Sequence, residues 1–134
     1  TLPNTITKFG LGAFSGCDSL TSITLPNTLT KIGEYTFFNC TSLTSITLPN
    51  SLTKIGDKAF YECTHLTSIT LPNLLTLIEN GGFNGCEKLT SITLKKSSIK
   101  IGEGTFFECV ESTLILKTKK IHDWNFTIQI FKKK

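Results

Sequence analysis

The octapeptide LTSITLPN occupies residues 20–27, 43–50 and 66–73, and it returns as LTSITLKK at 89–96. A period of 23 runs with it: Cys17, Cys40, Cys63, Cys86 and Cys109 keep that spacing without exception. Six apolar columns stay in step, namely Phe14/Phe37/Phe60/Phe83/Phe106, Leu20/Leu43/Leu66/Leu89, Ile23/Ile46/Ile69/Ile92/Ile115, Leu25/Leu48/Leu71/Leu94, Leu29/Leu52/Leu75 and Ile32/Ile55/Ile78/Ile101. About seven inward positions per unit cannot close a core alone, so each unit must bury its apolar side against the next. The period therefore dictates a solenoid.

Within a unit, Ser45-Ile46-Thr47-Leu48 alternates polar and apolar, the period of a half-buried strand, and Pro49 follows where the ladder should stop. Leu52-Thr53-Lys54-Ile55-Gly56 reads as a second short extended segment closed by a glycine suited to a tight turn. Residues 57–63 are too few for a stable helix and fit one helical or 3₁₀ turn that points Phe60 inward. Stacking coils about 4.8 Å apart places identical side chains over one another.

The pattern C-x-x-L-T-S-I-T-L-P-x-x-L-x-x-I-G-x-x-x-F-x-x-C resembles the BspA-like leucine-rich repeat of bacterial and protist surface proteins. The resemblance covers residues 1 to about 116 as five repeats. It implies a β-rich leucine-rich-repeat solenoid, right-handed and curved, with its parallel sheet on the concave side, and it implies adhesion or protein binding. Three departures stand out: Glu79 in place of the turn glycine, Leu77 in place of the lysine found at 8, 31, 54 and 100, and Lys95 in place of proline. After Cys109 the fifth copy is one residue short, so Leu114 and Leu116 take over the inward strand positions. Residues 117–134 then read as a basic cap and tail, with Trp124, Phe126, Ile128 and Ile130 alternating with polar residues as a C-terminal capping strand. The N-terminal coil shows no equivalent cover, which predicts self-association through residues 1–24.

Charge is unevenly distributed. Residues 1–92 hold five lysines against six acids, and residues 93–134 hold nine against four, for a net charge of +4. With no arginine and no nucleic-acid reading motif, the basic tail reads as a solvated end, and no nucleic-acid partner is expected. The apolar runs are too short for a membrane span. The in-register cysteines form a single file that cannot surround a metal, and their parallel Cβ atoms do not suit an unstrained disulfide. All five are expected to be reduced, buried and slow to react. His65 and His122 have no partner at catalytic spacing, and every glycine is explained by the repeat, so no enzyme, metal or other cofactor is expected.

Two surfaces are candidates for binding. One is the polar ladder on the strands: Ser45 and Thr47, Ser68 and Thr70, Ser91 and Thr93, whose alternative reading is a solvated β face. The other is the column after the core phenylalanine, where Ser15, Phe38, Tyr61, Asn84 and Phe107 vary from coil to coil, with Tyr35 close by. Variable aromatics on a regular scaffold suit a protein partner, and packing of each ring on the next turn is the alternative. The expected role is a non-catalytic protein-binding part of a cell-surface or secreted adhesion protein, with a host or matrix protein among the partners. A cytoplasmic scaffold is the second reading. The sequons Asn39-Cys40-Thr41 and Asn125-Phe126-Thr127 favour the first.

Overall fold

The computed structural model describes residues 2–94, 99–109 and 113–116. Each coil contributes the two-residue strand expected from the x-Ile-Gly segment: β1 (Lys8–Phe9), β2 (Lys31–Ile32), β3 (Lys54–Ile55), β5 (Leu77–Ile78) and β7 (Lys100–Ile101). They form one parallel sheet in the order β1-β2-β3-β5-β7, with each strand paired to the residue 23 positions on. The Ser-Ile-Thr-Leu segment forms the second sheet, β4 (Ser68–Leu71), β6 (Ser91–Leu94) and β8 (Thr113–Leu116), also parallel. In the first two coils this segment makes only the bridge Thr24↔Thr47, so the expected strand is regular from the third coil onward. The two-residue segment thus makes the longer sheet.

β6 and β8 pair Ile92 with Leu114, Thr93 with Ile115 and Leu94 with Leu116. Leu114, not Ile115, continues the Ile23 column, as the one-residue loss after Cys109 requires. The Trp124 capping strand, the basic tail, Lys95 and His122 lie outside the described residues.

The segment before each cysteine is not a helical or 3₁₀ turn. It folds as successive reverse turns, as in Phe38 N–H to Tyr35 O at 3.1 Å and Cys40 N–H to Phe37 O at 3.2 Å. Two left-handed residues per coil prevent helix continuation: Gly12 and Gly16, then Tyr35 and Asn39, Lys58 and Glu62, Gly81 and Gly85, and Gly104 and Glu108. This geometry frees alternate N–H groups for the following coil: Phe37 donates to Ala59 O and Asn39 to Tyr61 O, both at 2.8 Å. The glycine of the Ile-Gly pair has another role than the one expected. A Cβ at Gly56 would lie 2.8 Å from the backbone of Gly33, so the residue permits close approach of coils rather than a left-handed turn.

Phe14, Phe37, Phe60, Phe83 and Phe106 stack through the core with centroids 5.0 to 5.7 Å apart and rings within 14° of parallel. Leu29, Leu52 and Leu75, and Ile32, Ile55 and Ile78, are fully buried beside them. The cysteines are free thiols, and each Sγ from Cys40 onward donates to the phenylalanine carbonyl of the previous coil at 3.2 Å. Burial pushes the Cys40 thiol up to about 11 and the Cys63 thiol up to about 12, and raises the Cys86 thiol as well. Cys17 departs from expectation. It is only half-buried, because no coil among the described residues covers its outer side.

Candidate functional site

The aromatic flank is a physical cluster in the second and third coils. Phe38 stacks on Tyr61 with centroids 5.1 Å apart at 12°, and Tyr35 meets Phe38 edge-on at 5.3 Å. All three rings are half-buried on the outside of the turn segment. Phe107 does not join them, because Asn84 occupies the intervening position of the column. Coils on either side carry only small or polar groups there: Gly12, Ser15 and Gly16 before, Gly81, Asn84 and Gly85 after.

Tyr35 holds φ at 60°, where the equivalent residues of coils one, four and five are glycine. A left-handed non-glycine residue costs about 1 kcal/mol. Lys58 and Glu62 are left-handed as well, and their side chains lie across Gly81 and Gly85, whose missing Cβ atoms leave room for them. Sequence reading did not pick out this backbone strain. Aligning Tyr35 with Gly12, Gly81 and Gly104 was the available signal.

On the strand side, Ser45, Thr47, Ser68 and Thr70 line one open hollow of about 360 Å³ with Ile46, Leu48, Asn50, Ile69 and Pro72. Ser91 and Thr93 continue the ladder beyond it on β6, both half-buried. Asn50, not singled out by sequence, completes an uncharged rim. The hydroxyls of the ladder make no hydrogen bond to the protein among the described residues, whereas the neighbouring threonine columns do. Thr53 donates to Thr30 O at 3.0 Å, and Thr67 to Thr44 O at 3.4 Å.

Elsewhere the polar groups are tied to the scaffold. Glu79 accepts from Asp57 N–H at 3.2 Å and pairs with Lys54 at 3.5 Å, stapling the third coil to the fourth where the glycine is missing. His65 Nδ1 lies 2.7 Å from Thr41 O on an exposed corner. Among the described residues no group of three His, Cys, Asp or Glu could hold a metal, and no helix is long and apolar enough to cross a membrane. Leu74, 57% exposed, stands apart from the aromatic cluster.

The model of the BspA type leucine rich repeat region matches residues 1–129 in six copies, one more than the five cysteine-anchored coils. A leucine-rich repeat protein from Bacteroides ovatus superposes with a TM-score of 0.80 at 34% identity, over 88% of this chain and 31% of that one. The leucine rich repeat protein of T. pallidum gives 0.78 at 34% identity, covering 81% of this chain and 51% of its own. A leucine rich cell surface protein from Faecalibacterium prausnitzii gives 0.84 at 28% identity, covering 99% and 34%. The chain therefore spans about half or less of these solved chains. No curated protein sequence matches it significantly. A repeat matched over nearly its whole length, on a parallel-stranded solenoid shared with these structures, makes this chain a member of the BspA type leucine-rich repeat family.

Proposed function

We propose that this chain is a non-catalytic protein-binding segment of a cell-surface or secreted adhesion protein, and that Tyr35, Phe38 and Tyr61 are its anchor. One observation carries the reading: an aromatic cluster is built on the outside of two coils and includes a ring held at positive φ. The core does not need it, since the Phe14-to-Phe106 stack continues through coils that lack it. Half-buried aromatics ringed by polar residues are the usual composition of a binding hot spot. The similarity to a protein described as a cell surface protein supports the location. Phe107 is a separate, weaker contact.

Phe38→Ser with Tyr61→Ser, and separately Tyr35→Gly, are compared with the unaltered chain for capture of proteins from host-surface and matrix extracts. Each is expected to reduce capture of the same partner at least fivefold, about 1 kcal/mol. Tyr35→Gly exchanges an edge contact of about 0.5–1.5 kcal/mol for relief of a similar backbone cost, so its melting temperature should hardly change. Lost stability with undiminished capture would assign the rings to packing and sink the proposal.

A further inference from the structure

We propose that the hollow between the second and third coils, lined by Ser45, Thr47, Asn50, Ser68 and Thr70, binds a neutral oligosaccharide running along the coil stack. Two populations of hydroxyl exist along the coils. Thr30, Thr53 and Thr76 donate to the carbonyls of Thr7, Thr30 and Thr53 at 3.0 to 3.2 Å, and Thr44, Thr67 and Thr90 donate to those of Thr21, Thr44 and Thr67 at 3.2 to 3.4 Å. Those hydroxyls are spent on holding coils together. Ser45, Thr47, Ser68 and Thr70 are exposed and donate to nothing in the protein, and the Asn50 carboxamide is equally unengaged. They surround a hollow of about 360 Å³ in which no lining residue is charged.

The surroundings select among ligand classes. An anionic polymer finds no cation there, and an acidic or basic peptide finds no counter-charge. β4 is paired with β6 on one edge only, so an extended peptide is the competing occupant, and it would leave migration unaffected by every polysaccharide. An apolar side chain gains little, since Ile46, Leu48 and Ile69 are all less than 9% exposed. What the hollow offers is neutral groups that both donate and accept, repeated at the coil spacing of about 4.8 Å. A chain of sugar rings, with hydroxyls on its edges and C–H groups on its faces, has that chemistry and a repeat close to one coil. Exposed hydroxyls exchange water for ligand at little net gain, so a single hollow binds weakly.

The site is distinct from the aromatic flank and does not rest on the protein-binding reading. The test is affinity electrophoresis of the whole chain through gels containing laminarin, mannan or hydroxyethylcellulose. Retardation by at least one of these neutral polysaccharides, unchanged when salt is raised, is expected. Thr47→Val with Thr70→Val keeps the branched shape and removes both hydroxyls, and should reduce the affinity at least fivefold with the melting temperature unchanged. Should that pair perturb the fold, Ser45→Ala with Ser68→Ala takes its place. Phe38→Ser with Tyr61→Ser should leave retardation intact, which separates this site from the flank. Migration unaffected by all three polysaccharides, retardation abolished by salt, or retardation equal in the hydroxyl variants would each overturn the assignment.

Discussion

The cysteine column shows how one residue type acquires two behaviours from position alone. Cys40, Cys63, Cys86 and Cys109 lie beneath a preceding coil and donate to its phenylalanine carbonyl; Cys17 has neither cover nor acceptor within the described residues. Thiolate formation governs reactivity, and burial opposes it. Native protein diluted to the monomer and treated with iodoacetamide at neutral pH should therefore label once, at Cys17, and reach five labels only after denaturation; rapid modification of Cys63 in the native state would refute the ladder. The same burial gives a pH dependence. Cys40 and Cys63 hold their protons up to about 11 and 12 when folded, against a usual value of 9.0, so above pH 9 the unfolded chain releases protons that the native chain keeps. Their stabilising contribution is complete below pH 9 and is lost as pH rises toward 12, with Cys86 acting in the same sense. Urea midpoints should fall across that window and hold steady from pH 6 to 8. The single file of thiols was legible from spacing; the exception at Cys17 was not, because the sequence shows a column and not which member lies at its end.

At the scale of the strand and turn, the repeat spelled out which residues face inward but not which segment would make the better sheet. The alternation in Ser-Ile-Thr-Leu is the stronger strand signal, yet the two-residue Lys-Ile segment pairs in all five coils. In three coils the glycine that follows lets the chains approach, since Gly33, Gly56 and Gly102 each have the backbone or side chain of the previous coil where a Cβ would stand, and in the fourth coil Glu79 accepts from Asp57 N–H instead. Close contact there fixes the register of the first sheet from coil to coil. Gly56→Ala should thus cost about 1–3 kcal/mol through overpacking, read as a lower urea midpoint, although alanine is intrinsically the better-ordered residue. Gly16→Ala is the control: it has no atom nearby but holds φ at 73°, so its cost comes from backbone strain alone. Equal stability of Gly56→Ala and the parent would remove close approach as the reason for glycine. The reverse turns were misread as one helical or 3₁₀ turn because Tyr35, Lys58 and Glu62 are not residues from which a left-handed backbone is expected. The same misreading hid the strain beneath the aromatic flank.

Across the whole molecule, the fold was legible because a 23-residue period with conserved inward columns admits few packings, while the binding surfaces were legible only as columns that do not obey it. Stacking also leaves an end. Phe37, Cys40 and Leu43 are fully buried, but Phe14, Cys17 and Leu20, their counterparts in the first coil, are only partly so, and Leu11 is 73% exposed. Phe9 turns edge-on to Phe14 and Phe37, 5.3 and 6.3 Å away, and gives partial cover. The backbone is open too. Glu34, Thr36 and Phe38 accept hydrogen bonds from Gly12, Phe14 and Gly16 of the coil before, whereas Leu11, Ala13 and Ser15, one period earlier, accept none among the described residues. Beside this row of acceptors stand exposed apolar side chains, and it is these that a second copy covers favourably, since it meets the row itself with the same acceptors. Two copies meeting N-terminus to N-terminus bury both ends by one symmetric contact. The 134-residue chain should accordingly dimerise through residues 1–24. Light scattering should show twice the chain mass at high concentration and a shift toward monomer on dilution, and Leu11→Lys with Phe14→Ser should shift the equilibrium to monomer. Adding one upstream repeat that ends in a polar cap should do the same without touching these residues, by supplying the missing N–H donors in the same chain. A monomer at every concentration would mean that Phe9 already closes the end sufficiently.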